Sequence, residues 1–385
     1  MAIDFLSEKN RAPGECSIVV DGVEIVDLYP FLLEVTVETG RTEAAAATLN
    51  FETRRNELGE WTVQDAGVFV TWASVKIVAH FGDYAEEVLR GFIREIAVEV
   101  PQDAGAARVK VLCQDESYKL DRPHERKPWG KEDDPYSDTR LLAEILDTHD
   151  LAPDGANGPG QDGLINVSQD DTDIKFLRSR ADYNGYELIF REGTVYFGPM
   201  RLEADPQDTI YVYAGDATNC LSFNVRTDGH QPDAVAYDLP AESGSTSTQE
   251  IVYPSLKVLG TSHVDSLDAG LEDAVWKLSA EAGASAERMH ALALQKINDI
   301  DIRRVQAEGE LDGTLYGHVL KPGLPVAVDG MGVLHNGTYY VDSVSHSFST
   351  QGYRQKFKLL RNALGDNLDS VPNVSGIAGV LLALL

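Results

Sequence analysis

Short runs of alternating apolar and polar residues dominate the first third of the chain. They fall at 32–37, 47–51, 75–81, 87–98 and 108–113, with a further apolar run at 69–72. A period of two marks strands that bury one face, so these runs predict β-strands. Asp21-Gly22, the stretch 56–59 and Phe81-Gly82-Asp83 supply the turns between them. Residues 16–115 therefore read as a small antiparallel barrel or sandwich.

Beyond this stretch the pattern changes. Residues 121–138 are charged and carry three prolines, which predicts an extended loop. Leu141, Leu142, Ile145 and Leu146 then fall on one side of a helix, and a glycine-rich loop follows at 153–163. Residues 170–199 are the most informative stretch. Asp171 or Thr172 is placed to cap a helix whose apolar face is Ile174, Leu177 and Ala181. Gly185 suits the left-handed position that ends helices. Strands at 186–190 and 194–197 then flank a Glu192-Gly193 turn.

Strand patterns resume at 209–213 and 220–227, and residues 240–250 read as a flexible polar linker. Across 268–306 the spacing of Val275, Leu278, Met289, Leu292, Ile297 and Ile300 predicts helix, with Gly283 dividing it in two. Strands return from 313 to 361.

Charge narrows the functional classes. The chain has 62 acidic against 33 basic residues, a formal net charge of −29. That excludes a general nucleic-acid binder, whose affinity comes from Lys and Arg neutralising phosphates. The acidity fits solubility by self-repulsion. It also fits life at high salt, where repulsion is screened within about 3 Å at 1 M, and an acidic channel wall that does not hold passing DNA.

Cys16, Cys113 and Cys220 are too widely spaced for a metal knuckle, and their odd number argues against a disulfide scaffold, so they read as core cysteines. The first ten residues lack a secretory signal pattern, and no run approaches the ~18 apolar residues that span a bilayer.

Candidate chemistry is sparse. The nine histidines form no HExxH pair, and Gly155, Gly158, Gly160 and Gly163 precede no GK[ST]. Asp170, Asp171 and Asp173 read as helix-start acids, and Glu132, Asp133 and Asp134 as solvated surface. No catalytic residue, cofactor or metal ligand is singled out. Trp129 is the candidate surface anchor for a partner, since exposed aromatics concentrate contact energy; its other reading is that it folds back onto its own region. Ile377, Val380, Leu381, Leu382, Leu384 and Leu385 form an apolar tail, read either as packed or as a second partner contact.

Two blocks carry a family resemblance. In the first, Asp173, Phe176, Leu177, Gly185, Tyr186, Tyr196, Phe197, Gly198 and Pro199 stand where a helix–hairpin motif is expected. In the second, Gly317, Pro322, Gly323, Gly337, Tyr339, Tyr340, Val341, Val344, His346, Phe348, Gly352, Tyr353 and Phe357 match a C-terminal strand motif. In this order they resemble the phage late control protein D family, which includes the base of VgrG spike proteins; the resemblance covers roughly 15–362.

It implies an α+β, mainly β fold with two similar antiparallel β-barrels. Barrel one is expected at 15–115, an α+β insert at 116–209, and barrel two at 210–240 plus 308–362. A helical insertion is expected at 241–307 and a C-terminal tail at 363–385. It further implies a non-enzymatic tail hub: a homotrimeric, pseudo-sixfold ring joining a hexameric tail tube to a separate threefold spike. Such a hub meets other baseplate proteins, passes DNA or cargo without binding it specifically, spans no membrane, and resides in a virion or injection particle assembled in the host cytoplasm. A baseplate-associated cell-wall hydrolase and a receptor-binding tail protein are the alternatives.

Overall fold

The structure is a computed structural model that describes residues 15–102, 107–238, 249–264, 270–279 and 285–368. A first unit, unit one, holds β1 (Glu15–Val20), β2 (Val23–Glu24), β3 (Leu32–Gly40), β4 (Ala46–Glu52), β5 (Ser74–Phe81), β6 (Tyr84–Glu99) and β7 (Arg108–Asp115). Alternation sends Ile18, Val35, Val37, Leu49, Ile77 and Val111 into one core, each fully buried. The apolar run at 69–72 forms no strand. There the chain reverses through Trp72, whose φ is +75°, and the Trp72 amide donates to the Ile93 carbonyl at 2.8 Å.

Next come β8 (His124–Trp129), α1 (Asp138–Asp147), β9 (Ala152–Pro153), β10 (Val167–Thr172), α2 (Asp173–Asn184), β11 (Glu187–Arg191) and β12 (Thr194–Gly198). The expected loop at 121–138 is thus partly wrong. β8 pairs antiparallel with β10, from Val167 opposite Trp129 to Thr172 opposite His124. A two-stranded ribbon leaves one edge of β8 free of ladder bonds, and Pro128 is tolerated on such a strand. The helix–hairpin forms as the pattern predicts. Gly185 sits at φ +68° and its amide donates to the Ala181 and Asp182 carbonyls. Glu192 and Gly193 both take positive φ, the geometry of a tight hairpin turn. Thr172 occupies the N-cap, but its hydroxyl donates to Asp121 Oδ1 (2.9 Å) rather than capping the helix.

A second unit, unit two, opens with β13 (Gln207–Tyr211) and β14 (Cys220–Thr227). It is interrupted by β15 (Ala234–Asp238), β16 (Gln249–Val252), β17 (Ser262–His263), β18 (Val275–Leu278) and α3 (Ala286–Asp301). Val275 and Leu278, expected in a helix, lie on β18, which pairs parallel with β15. Four residues are too few to fix a period, and Val275-Trp276 suits a strand beside the buried β15. Gly283 and most of the linker fall outside the described residues, while Gln249 and Glu250 belong to β16. Unit two resumes with β19 (Val305–Asp312), the short α4 (Gly313–Tyr316), β20 (Pro325–Asp329), β21 (Gly337–Ser349) and β22 (Gly352–Arg361), and β23 (Ala363–Leu364) follows.

Pairing shows that the two units repeat one plan. Unit one runs β3-β4-β7-β6-β5-β1, and unit two runs β14-β19-β22-β21-β20-β13. Apart from the short β2, each strand of one thus has its counterpart in the other, in chain order. The long third-from-last strand also carries a register shift in both, between Ile93 and Glu95 and between Val341 and Ser343. One pairing departs from the plan: β13 lies parallel to β20, whereas β1 is antiparallel to β5. Neither unit closes into a separate barrel among the described residues. Instead β3 pairs with β21, and both units join in one 13-stranded sheet.

Candidate assembly interface

The seam between the units shows what such a junction requires. Ser345 and Ser347 on β21 donate to Glu38 Oε1 (2.6 Å) and Glu34 Oε1 (3.1 Å) on β3. His346 is buried beneath them, with Nδ1 2.9 Å from the Tyr353 hydroxyl. Burial disfavours its charged form and holds its pKa down at about 3. Phe348 and Tyr353 stack with centroids 4.2 Å apart and enter the core of unit one.

A second contact sets the β5–β6 turn against the connection between β19 and β20. The Tyr84 hydroxyl lies 2.9 Å from His318 Nδ1, and the Val319 amide donates to Glu86 Oε2 at 2.6 Å. Burial works against ionisation of Glu86, but hydrogen bonds from His318 and Val319, with the charge of Lys321, hold its pKa below the usual glutamate value. The Val319 side chain is buried in the core of unit one.

Arg41, just past β3, anchors the seam to the rest of the molecule. Its Nε donates to Asp342 Oδ1 (2.6 Å), its Nη1 donates to Glu187 Oε1 (3.2 Å), and Nη2 lies 3.6 Å from Asp299 Oδ1. These carboxylates come from β21, β11 and α3, so one guanidinium ties unit one to three other parts of the chain. Burial opposes the Arg41 charge, but Glu187 and Asp342 outweigh it and keep the proton in place. The Tyr340 hydroxyl completes the cluster by donating to Glu187 Oε2 at 2.7 Å.

Other edges have no such neighbour among the described residues. Among the described residues β14 ends the sheet and pairs only with β19, and residues 94–99 of β6 pair only with β7. Leu221, Val98 and Val100 are exposed along these edges. Two loop tips also present apolar side chains. Tyr213, Val333 and Leu334 are 95%, 73% and 61% exposed, and Leu58 and Val70 are 85% and 57% exposed beside a partly exposed Trp72.

The tips are built rather than loose. Asn336 Nδ2 donates to Asp329 Oδ1 and the Met331 amide to Asn336 Oδ1, both at 2.8 Å. The Trp72 ring is held between Tyr118, stacked at 4.3 Å, and the Arg122 guanidinium, 3.6 Å from its centroid. Large apolar side chains exposed on ordered loops are candidates for interaction surfaces. Periodicity could not find them, because they sit in turns. The available signal was Val333-Leu334 and Leu58, large apolar residues among glycine and asparagine.

The residues singled out from sequence serve the framework. Asp173 opens α2, accepts from Gln169 Nε2 (2.7 Å) and pairs with His149 Nε2 (2.9 Å). Phe176, Leu177 and Phe197 lie in the core of the insert, with Tyr186 packed on Phe197. Gly317 ends α4 at φ +74°, and the Pro322 and Gly323 carbonyls accept from Arg191 and Arg201 of the insert. Gly337 opens β21, Tyr339 donates to the His335 carbonyl, and Val341 is buried.

Trp129 is corrected. It is 3% exposed, stacks on Phe176 and donates from Nε1 to Gln169 Oε1 at 2.8 Å, so it folds back onto its own region and offers no surface anchor. Ile377, Val380, Leu381, Leu382, Leu384 and Leu385 lie outside the described residues. The three cysteines are free thiols, and burial pushes the Cys113 pKa up to about 12. Among the described residues no group of three or more His, Cys, Asp or Glu is gathered as a metal site.

Comparison with known proteins adds the following. A family model described as the Alg8 N-terminal domain matches residues 11–350. No curated protein matches the chain in sequence. Among solved structures, the 43 kDa tail protein of prophage MuSo2 from Shewanella oneidensis superposes with a TM-score of 0.66 at 14% identity, covering 91% of this chain and 99% of that one. The tail protein of Neisseria meningitidis MC58 gives 0.63 at 12% identity, covering 92% and 98%. A Francisella PdpA–VgrG complex gives 0.52 at 9% identity, covering 93% of this chain and 59% of the other. At these identities the shared property is the fold.

Proposed function

This chain belongs to the family of the Alg8 N-terminal domain, and from its tail-protein fold we propose that it is a structural tail hub of the late control protein D type. Its setting would be a phage, an archaeal virus or a related contractile injection system. The observation that carries this reading is the strand plan repeated twice, side by side, in one sheet.

Two similar units per chain let three copies present six similar surfaces, which is how a threefold assembly can meet a sixfold one. One face of the trimeric ring would seat a hexameric tail tube and the other a separate threefold spike, with other baseplate proteins around it. DNA or cargo would pass through an acidic lumen that does not bind it. Edge strands left open in one copy would pair with those of the next, which removes the hazard of an unpaired sheet edge. The apolar residues 377–385 would serve as a further partner contact. The protein would reside in the tail of the particle after assembly in the host cytoplasm, and no helix among the described residues is long and apolar enough to cross a membrane.

Gold-labelled antibody against the chain, applied to purified particles, tests the role. Label confined to the tube–spike end is the expected result. Label absent from particles, or release of soluble sugars when the protein is incubated with envelope polymer, would overturn it.

A further inference from the structure

We infer that two loop regions with exposed apolar side chains, one carrying Tyr213, Val333 and Leu334 on unit two and one carrying Leu58, Val70 and Trp72 on unit one, are the two halves of a contact between neighbouring copies of this chain. The inference rests on the ring reading above and specifies which side chains hold the copies together.

The argument starts from the seam inside the chain, which has two components. An end strand, β3, pairs with the second half of the long strand β21, and the β5–β6 turn meets the β19–β20 connection through Tyr84, His318 and Val319. The shared strand order converts each component into its counterpart: β3 into β14, β21 into β6, the β5–β6 turn into the β20–β21 turn, and the β19–β20 connection into residues 53–73. A second junction built on the same plan sets β14 against residues 94–99 of β6. It also sets the turn carrying Val333 and Leu334 against the connection carrying Leu58, Val70 and Trp72. Tyr213 follows β13 beside that turn, since the Val212 amide donates to the Asp329 carbonyl at 2.8 Å.

Among the described residues β14 and residues 94–99 of β6 have no second strand neighbour, and all four counterparts expose large apolar side chains. They also belong to opposite ends of the strand order, so the plan brings them together only between copies. The contact is head-to-tail, one patch fitting a different patch on the next copy, which closes into a ring if the rotation allows. Its geometry is set in advance. Trp72 is held at φ +75°, an uncommon value for a bulky residue, between Tyr118 and Arg122, and the opposing turn is fixed by Asn336. Side chains ordered before contact lose little freedom on association.

A full-length chain carrying both Val333→Cys and Leu58→Cys, treated with a bismaleimide crosslinker, tests the pairing by peptide mapping, with light scattering on the same sample. The expected product joins position 333 of one chain to position 58 of another. Neither single variant should yield that peptide, and the chain with only its native cysteines should remain uncrosslinked through these sites. Trimers by light scattering without the 58–333 peptide would overturn the patch assignment and leave the ring reading standing. Absence of both would remove the two together, and a 58–333 link within one chain would contradict the contact. As a second readout, Leu334→Asp should weaken association at least tenfold with an unchanged near-ultraviolet circular dichroism spectrum; unchanged association would also overturn the assignment.

Discussion

Unit one and unit two lay six strands in the same order, but their end strands meet different surroundings. β3 finds β21 and buries His346, Phe348 and Tyr353 beneath the seam, whereas β14 carries an exposed Leu221 and no second neighbour among the described residues. The same contrast holds at the loops. Val319, in the β19–β20 connection, is buried against unit one, while Leu58 and Val70 in the corresponding connection stand in solvent. Topology alone therefore does not decide what a strand edge buries. A repeated plan supplies one junction complete and leaves its twin open, and the side chains on the open one keep the apolar character of a junction.

Four substitutions probe that contrast, from the largest expected effect to the smallest. Arg41→Ala removes the cation shared by Glu187 and Asp342 and leaves Glu187 buried without its charge partner. Breaking a buried pair from one side costs about 3–5 kcal/mol, so the denaturant midpoint should fall sharply. Val319→Ala should cost about 2 kcal/mol, from roughly 0.8 kcal/mol per buried methylene with some added cavity cost. An unchanged unfolding midpoint would mean that the closed seam is not held by its packing.

His346 gives the seam a pH dependence. Its folded pKa, about 3, lies below the ordinary histidine value of 6.5, so the unfolded chain binds the proton more readily. The stability from keeping it neutral is fully present above pH 6.5 and is lost as pH falls from there toward 3. His346→Asn should lower stability at neutral pH and flatten its decline between pH 7 and pH 5; an equally steep decline in the variant would assign the effect elsewhere. Val333→Ala, at the open counterpart, should change monomer stability by no more than about 0.5 kcal/mol. A loss as large as that of Val319→Ala would show that the tip already has a partner within its own chain.

Much of this architecture is legible in the sequence, and the failures have physical causes. The helix–hairpin at 173–198 reads correctly because each level agrees: an apolar face, a glycine at the helix end, and a Glu192-Gly193 turn between alternating strands; Asp170 and Asp171, read as helix-start acids, instead lie on β10. β8 is missed because Pro128 and four charged or imidazole side chains resemble a loop, yet an edge strand in a ribbon tolerates both. β18 is missed because four residues cannot distinguish the helical period from the strand period. Trp129 is misplaced because a tryptophan among charges looks exposed, and the Gln169 amide that satisfies its indole lies forty positions away. Arg41 gives no local signal at all, since its three carboxylates are gathered only by the tertiary fold. The repeated strand order is likewise hidden, because the insert and the helical insertion separate its parts.

The measurement that tests the central claim most directly is native mass by light scattering after size exclusion, at low and at molar salt. Three chains of 42.1 kDa, about 126 kDa, are predicted in molar salt, where repulsion between chains of net charge −29 is screened within about 3 Å. A single 42.1 kDa species at both salt concentrations would contradict the ring.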